Sequence, residues 1–116
     1  FNLANVKHAD IIYKAVEYIN KNYMKKISLE DVASHVHLSP TYFSKLFKDE
    51  TQYNFNTYLN NVRIEMGKKL LLDESIPIVD ISNLIGFEDQ SYFSKVFKKL
   101  TGVTPGKFRK SRGQIL

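Results

Sequence analysis

The segment YFSKLFK at residues 42–48 recurs as YFSKVFK at residues 92–98, fifty positions later in the chain. Only the fifth position differs, and it is apolar in both copies. The similarity extends downstream, where Thr51 corresponds to Thr101, and upstream with a slip of one residue. Six identities in seven positions rarely arise by chance in a short chain. The sequence therefore contains one structural unit twice.

The first copy carries the signals of a helix, a tight turn and a second helix. Ser28 is a candidate N-cap, and Asp31 follows three residues later, as in a capping box. A 3.6-residue apolar period then runs through Leu29, Val32, Ala33 and Val36. After a turn that contains His37, Ser39 can cap the next helix. Pro40 suits the first position of that helix, because the N–H there needs no partner.

The second copy repeats this pattern with different turn residues. Asp80–Ile85 is the predicted first helix, Gly86 takes the turn, and either Glu88 or Asp89 caps the second helix. Gly86 suits a position that needs positive φ. His37 occupies the matching place in the first copy, where a non-glycine residue costs free energy if the turn is left-handed.

The second helix of each copy, at about residues 40–50 and 90–100, separates apolar from polar residues. The apolar face contains Phe43, Leu46 and Phe47, and then Phe93, Val96, Phe97 and Leu100. The polar face contains Thr41, Ser44, Lys45 and Lys48, and then Ser91, Ser94, Lys95 and Lys98. Such side chains can approach base edges and phosphates, although one amphipathic helix of this kind is more often ordinary surface. Because the pattern occurs twice after the same short helix and turn, we favour DNA contact. Tyr42 and Tyr92 flank both faces, and a core, phosphate or base role stays open for each.

A long helix is predicted between the copies at Phe55–Leu72, with an apolar stripe of Tyr58, Leu59, Val62, Met66, Leu70 and Leu71. At 1.5 Å per residue it spans on the order of 27 Å, which approaches the roughly 34 Å between successive major grooves. We expect it to hold the two recognition helices about one DNA turn apart. An opening helix is predicted at Ile11–Tyr23, and a short last helix begins at Thr104-Pro105 and runs through Phe108.

Composition sets the broad class of the protein. The 116 residues include no cysteine, so a disulfide frame and a thiolate zinc site are excluded, and a reducing cytoplasm is the expected location. No apolar run is long enough to span a bilayer, so we expect no membrane partner. The formal charge is +5, and Ser91–Arg112 contains seven basic residues and no acid, which favours a polyanion or a solvated basic face. Phe1 is not a start methionine, so we expect a longer protein with its sensor or effector domain in an N-terminal part.

Enzymatic function finds little support. His35 and His37 are two residues apart, which puts them on different faces of a helix, so we predict no metal site. No phosphate-binding loop or nucleophile elbow occurs, and acid pairs such as Glu30-Asp31 lie at predicted helix starts, where the helix dipole explains them. We therefore predict no catalytic residue and no cofactor. Two other classes stay open, a sequence-indifferent architectural DNA-binding protein and a helical protein-interaction module.

Over roughly Ile11–Arg112 the chain resembles the DNA-binding domain of the AraC/XylS family of bacterial transcription regulators. The motifs that carry the resemblance are Ile81, Gly86-Phe87, Tyr92-Phe93-Ser94, Phe97-Lys98, Gly102, Thr104-Pro105 and Phe108-Arg109, with Arg63 and Leu70-Leu71 in the linker helix. The resemblance implies an all-α fold of two helix-turn-helix lobes and about seven helices, joined by a long linker helix. We place lobe one at about 9–53, the linker helix at 55–72 and lobe two at about 76–112, within a single DNA-binding domain over 1–116.

The resemblance also implies sequence-specific binding of double-stranded DNA in transcription regulation. The base contacts it implies are Pro40, Thr41, Ser44 and Lys45 in the first lobe, and Gln90, Ser91, Tyr92 and Lys95 in the second. We assign phosphate contact to Lys48, Ser94, Lys98 and Lys99. Activation through contact with RNA polymerase is a further implication, to which no residues are assigned.

This sequence departs from the family pattern at several places. Lys45 and Lys95 stand where several relatives have arginine, which weakens bidentate reading of guanine. Gly67 and Ser82 replace common alanines, and Phe108 replaces a common tyrosine. The Ser39–Phe43 segment is similar to that of regulators in which this domain follows a sensor or receiver domain.

Overall fold

The computed structural model describes the backbone of residues 3–114 and the side chains of residues 6–114. This part of the chain forms seven α-helices and no strand, as the sequence predicted. The helices are α1 (Leu3–Asn22), α2 (Leu29–His35), α3 (Pro40–Thr51), α4 (Phe55–Leu71), α5 (Ile78–Leu84), α6 (Gln90–Thr101) and α7 (Pro105–Lys110). None of the described helices is long and apolar enough to cross a membrane.

The chain divides into two compact units, Phe1–Leu59 and Asn60–Leu116. The division falls inside α4, so one continuous helix belongs to both units. Each unit contains one copy of the repeat: α2, the turn and α3 in the first, and α5, the turn and α6 in the second.

The helix ends follow the local sequence signals. Ser28 and Asp31 form the predicted capping box, with hydrogen bonds of 2.9 and 3.1 Å between each backbone N–H and the other side chain. Thr104 caps α7, where its hydroxyl accepts from the N–H of Lys107 at 3.2 Å. The turns between the paired helices use left-handed backbone at His37 (φ 62°) and Gly86 (φ 99°). The two turns are therefore equivalent although their residues differ.

Helix α1 is the largest departure from the predicted boundaries. It begins at Leu3, whereas the sequence pattern predicted a start at Ile11. The apolar period is weak before Ile11, so the sequence pattern did not predict the first two turns of α1. No proline or glycine lies between these residues, so nothing in the sequence stops the helix from extending.

The core of the first unit surrounds Phe43 and Phe47, which are completely buried. The start of α4 contributes Phe55, whose ring lies edge-on to Phe47 with centroids 6.5 Å apart. Tyr58 packs against the same ring at 5.2 Å, and burial raises the pKa of its hydroxyl. Ala15 and Ile19 of α1 and Val32 and Ala33 of α2 complete this core.

The core of the second unit is a row of phenylalanine rings. Phe87, Phe93, Phe97 and Phe108 contact one another in that order, with centroids 5.4, 5.7 and 5.5 Å apart. Phe108 is 4% exposed, so the ring that replaces the family's usual tyrosine is an interior residue.

Gly67 and Ser82, the two replacements for alanine, both fit their surroundings. A Cβ on Gly67 would lie 3.1 Å from the Cδ1 of Ile85, so the glycine allows this isoleucine to pack close to α4. Ser82 is completely buried, and its hydroxyl donates to the carbonyl of Val79 at 2.8 Å. That bond within α5 satisfies the buried hydroxyl.

The buried side of α4 agrees with the predicted stripe only at Leu59 and Leu71. Residues four apart form its buried ridge: Phe55, Leu59, Arg63, Gly67 and Leu71, with Ile64 beside them. Tyr58, Val62, Met66 and Leu70, expected to form the stripe, are only half-buried. The prediction selected apolar residues, and the true ridge passes through an arginine and a glycine.

Candidate nucleic-acid interface

Helix α3 exposes every contact residue predicted for the first copy. Its N-cap is Ser39, whose hydroxyl accepts from the N–H of Tyr42 at 3.2 Å, and Pro40 occupies the first turn, as predicted. Phe43, Leu46 and Phe47 are buried on one side of the helix. On the other side the exposed residues include Pro40, Thr41, Ser44, Lys45 and Lys48.

Helix α6 has the same arrangement. Asp89 is its cap, and the carboxylate accepts from the N–H of Tyr92 at 2.7 Å, which decides between the two cap candidates. The exposed residues include Gln90, Ser91, Tyr92, Lys95, Lys98 and Lys99, and Ser94 is half-buried. Leu100, predicted on the apolar face, is 38% exposed, because it lies in the last turn before Gly102, beyond the buried Phe97.

The two recognition helices carry different charges in their second halves. Helix α3 has Lys48 followed by Asp49 and Glu50, whereas α6 has Lys98 and Lys99 and no acid. Carboxylates repel phosphates, and lysines attract them. Electrostatics therefore favours phosphate contact more strongly along α6 than along α3.

Tyr42 and Tyr92 occupy matching places in the first turns of α3 and α6, and each is 50% exposed. Neither is a core residue. The hydroxyl of Tyr42 lies 3.3 Å from Nε2 of His8 on α1. The ring of Tyr92 instead lies edge-on to Phe87, with centroids 5.7 Å apart and an interplanar angle of 65°.

Sequence reasoning assigned no role in the site to two residues that interact with these tyrosines, His8 and Arg63. In the first unit, His8 and Lys7 of α1 line a surface groove with Tyr42, Ser39 and His37. In the second unit, Arg63 of α4 is only 9% exposed, and its Cζ lies 5.6 Å from the centroid of Phe87. Burial lowers the pKa of the Arg63 guanidinium. The available signals for Arg63 were its place in the family's linker-helix pattern and its position four residues after Leu59 on the buried ridge.

Arg109, one of the seven basic residues between Ser91 and Arg112, is used inside the fold. Its Nε donates to the carbonyl of Leu71 at 2.9 Å, and one terminal nitrogen donates to the carbonyls of Asp73 at 3.1 Å and Ile76 at 2.7 Å. The guanidinium thereby binds carbonyls at the end of α4 and in the loop that follows. The basic block is therefore not one uniform polyanion-binding surface.

Two of the three histidines, His35 and His37, contribute to the local structure of the first unit. The ring of His35 packs on Tyr18 with centroids 4.5 Å apart, and His37 occupies the left-handed turn. Among the described residues, no group of three or more histidine, cysteine, aspartate or glutamate side chains is placed to hold a metal ion.

A family model and several known proteins are similar to this chain. A family model described as "Helix-turn-helix domain" matches residues 32–111. Regulatory protein PocR of Salmonella typhimurium is 42% identical over 102 residues, which is 88% of this chain and 34% of PocR. The chain thus spans about a third of the length of that relative.

Two solved structures share the fold. The C-terminal domain of AraT, a response regulator from Geobacillus stearothermophilus, is 36% identical with a TM-score of 0.83, and the match covers 87% of this chain and 84% of that one. An AraC-type DNA-binding domain-containing transcriptional regulator from Chromobacterium violaceum is 26% identical, also with a TM-score of 0.83, over 91% of this chain and 95% of that one. With its duplicated helix-turn-helix and the matching family model, the chain belongs to the AraC/XylS family of DNA-binding transcription regulators.

Proposed function

We propose that this chain recognises an asymmetric double-stranded DNA site, in which α3 and α6 each read one of two adjacent major-groove segments. The duplication carries the proposal. Two capped helices bury corresponding phenylalanines and carry the same Ser-Lys pair, at Ser44-Lys45 and Ser94-Lys95, in which only Ser94 is half-buried and the other three residues are exposed. A helix that exposes short hydroxyls and lysines near its N-terminus presents them to base edges when it enters the groove.

The two helices differ in the residues before the shared pair, so the two half-sites differ as well. In α3 these residues are Pro40 and Thr41, and the threonine offers a methyl group to thymine or a hydroxyl to either kind of base. In α6 they are Gln90 and Ser91, and the glutamine amide matches N6 and N7 of adenine. With Ser44, Lys45, Tyr92 and Lys95, these side chains form the proposed set of base contacts.

Phosphate contact falls to Lys48 in the first unit and to Ser94, Lys98 and Lys99 in the second. The three lysines are exposed and lie on the recognition helices beside the base-reading face, and Ser94 is half-buried. Lysines at such positions fix the register of a protein on the duplex without reading sequence. The surplus of positive charge on α6 makes the second unit the stronger phosphate binder in this proposal.

We propose further that the complete protein is a bacterial transcription regulator that acts in the cytoplasm, and that its remaining part holds a sensor or effector domain. The length of PocR outside the match supports such an arrangement. Contact with RNA polymerase belongs to the same proposal. The DNA-binding domain itself is proposed to have no enzymatic role.

Selection of bound sites from a random DNA pool tests the reading model. The chain should select two unlike half-sites about 10 base pairs apart. Lys45→Ala should relax base preference in one half-site and Lys95→Ala in the other, each by about 1–3 kcal/mol.

Lys14→Ala and Lys69→Ala are the matched controls, because each removes one exposed lysine away from the recognition helices. Neither should blur a base position. Equal blurring of the same positions by both recognition-helix variants contradicts the two-reader model. Equal affinity for every duplex indicates an architectural protein, and salt-independent weak binding indicates a protein-interaction module.

A further inference from the structure

We propose that Arg63 and Phe87 act together as positioning residues for Tyr92 and thereby determine the base preference of the second recognition helix. The proposal rests on the DNA-reading function proposed above. Neither residue needs to touch DNA for this role.

The contacts form a continuous path from the linker helix to the DNA-binding face. Arg63 is 9% exposed and Phe87 is 4% exposed, so both lie inside the second unit. The guanidinium carbon lies 5.6 Å from the centroid of the Phe87 ring. The same ring meets Tyr92 edge-on at 5.7 Å and Phe93 at 5.4 Å. The half-exposed Tyr92 ring therefore packs on Phe87, and the Phe87 ring also contacts Arg63 and Phe93.

The chemistry of this contact favours a fixed geometry. A cation near the face of an aromatic ring is attracted by the ring quadrupole, and the attraction grows when water is excluded. Edge-to-face aromatic pairs have a similar directional preference. Arg63 stays cationic although burial lowers the pKa of its guanidinium, because arginine is not deprotonated in proteins. The arginine therefore restrains Phe87, and Phe87 restrains Tyr92.

The first unit shows what the same helix looks like with a different support. Leu38 follows the left-handed His37 as Phe87 follows Gly86, so a leucine stands in place of the supporting ring. Tyr42 is held by its hydroxyl, 3.3 Å from His8. Tyr92 is instead held through its ring, which meets Phe87 edge-on at 5.7 Å, and it is 50% exposed. The two tyrosines are therefore held by different groups.

A restrained side chain loses less conformational entropy when it binds, and it meets only those bases that suit its one orientation. Loosening the support should therefore reduce discrimination at the base that Tyr92 meets. It should leave the first half-site as it was.

The test compares five variants by site selection, and those that retain Tyr92 are also compared by its ring proton shifts in NMR of the free protein. Phe87→Leu copies the residue of the first unit, and Arg63→Met removes the charge but keeps a long apolar chain. Both should shift the Tyr92 ring protons and reduce discrimination in the second half-site about fivefold, the lower end of a typical base contact. Arg63→Lys keeps the cation, so its Tyr92 ring shifts and its second half-site discrimination should lie closer to those of the wild type than the values for Arg63→Met do. In a Tyr92→Ala background, Phe87→Leu should add no further loss.

Phe108→Leu is the control for general destabilisation, because Phe108 is equally buried and contacts Phe97. It should lower the melting temperature without changing second half-site preference. An unchanged second half-site profile in Phe87→Leu, or equal relaxation by Phe108→Leu, overturns the positioning role but leaves the two-reader function intact. If the wild-type chain selects no second half-site, the proposed function fails first and the positioning role fails with it.

Discussion

Replacing Arg109 by methionine should destabilise the second unit, because three carbonyl oxygens at the end of α4 and in the next loop lose their donor. A hydrogen bond from a charged group contributes about 1.5–3 kcal/mol. The bonds to Leu71 and Ile76 are part-buried, and the bond to Asp73 is exposed. Taking the lower value for the two part-buried bonds, and nothing for the exposed one, gives about 3 kcal/mol. Urea unfolding followed by circular dichroism measures this destabilisation.

Lys110→Met is the matched control, because it removes the same charge from the next residue, which is exposed at the end of α7. A surface substitution of this kind should change stability by about 0.5 kcal/mol or less. If the two variants unfold at the same urea concentration, the hydrogen bonds of Arg109 to these carbonyls contribute nothing and its assignment to the fold is wrong. The unfolding slope must also match that of the wild type, since a changed slope reports a changed unfolded state.

The remaining predictions concern phosphate binding and glycine packing. Replacing Lys98 and Lys99 by alanine should weaken binding to all DNA sequences alike. It should also reduce the slope of log K against log salt concentration by up to about one unit for each phosphate group that is no longer neutralised. Fluorescence anisotropy at several salt concentrations measures both effects, and an unchanged slope contradicts phosphate contact by these lysines. Gly106→Ala places a methyl group in open space within α7 and should stabilise the protein by up to about 1 kcal/mol. Gly67→Ala should stabilise it less, because its methyl group would meet Ile85 at 3.1 Å; larger stabilisation by Gly67→Ala in urea unfolding contradicts the packing described for α4.

Much of the fold could be predicted from local signals. The repeat, the capping residues Ser28 and Ser39, the start of the last helix at Thr104-Pro105, and the turn at Gly86 each depend on a few neighbouring residues, and the structure agrees with each. Such features are determined by short-range hydrogen bonding and backbone sterics, which the sequence displays directly.

Features that depend on long-range packing could not be predicted in the same way. The buried ridge of α4 includes Arg63 and Gly67, whose burial depends on Phe87 and Ile85, residues that are distant along the chain. Periodicity predicted the exposed and buried faces of the recognition helices, but it did not predict which residues contact Tyr42 and Tyr92. The inward use of Arg109 was likewise hidden, because a basic residue in a basic segment looks like part of a surface.

The left-handed backbone positions have a consequence for how the molecule opens. Within the repeated segments the first copy places His37 (φ 62°) and Gln52 (φ 71°) in this region, whereas the second places Gly86 and Gly102 there. Each non-glycine residue in that conformation costs about 1–2 kcal/mol relative to the right-handed region, and glycine avoids the clash. The first copy therefore stores backbone strain that the second does not. We expect amide protons of α2 and α3 to exchange with solvent faster than those of α5 and α6, so that the two halves of a duplicated sequence separate into a more labile and a more persistent folding unit.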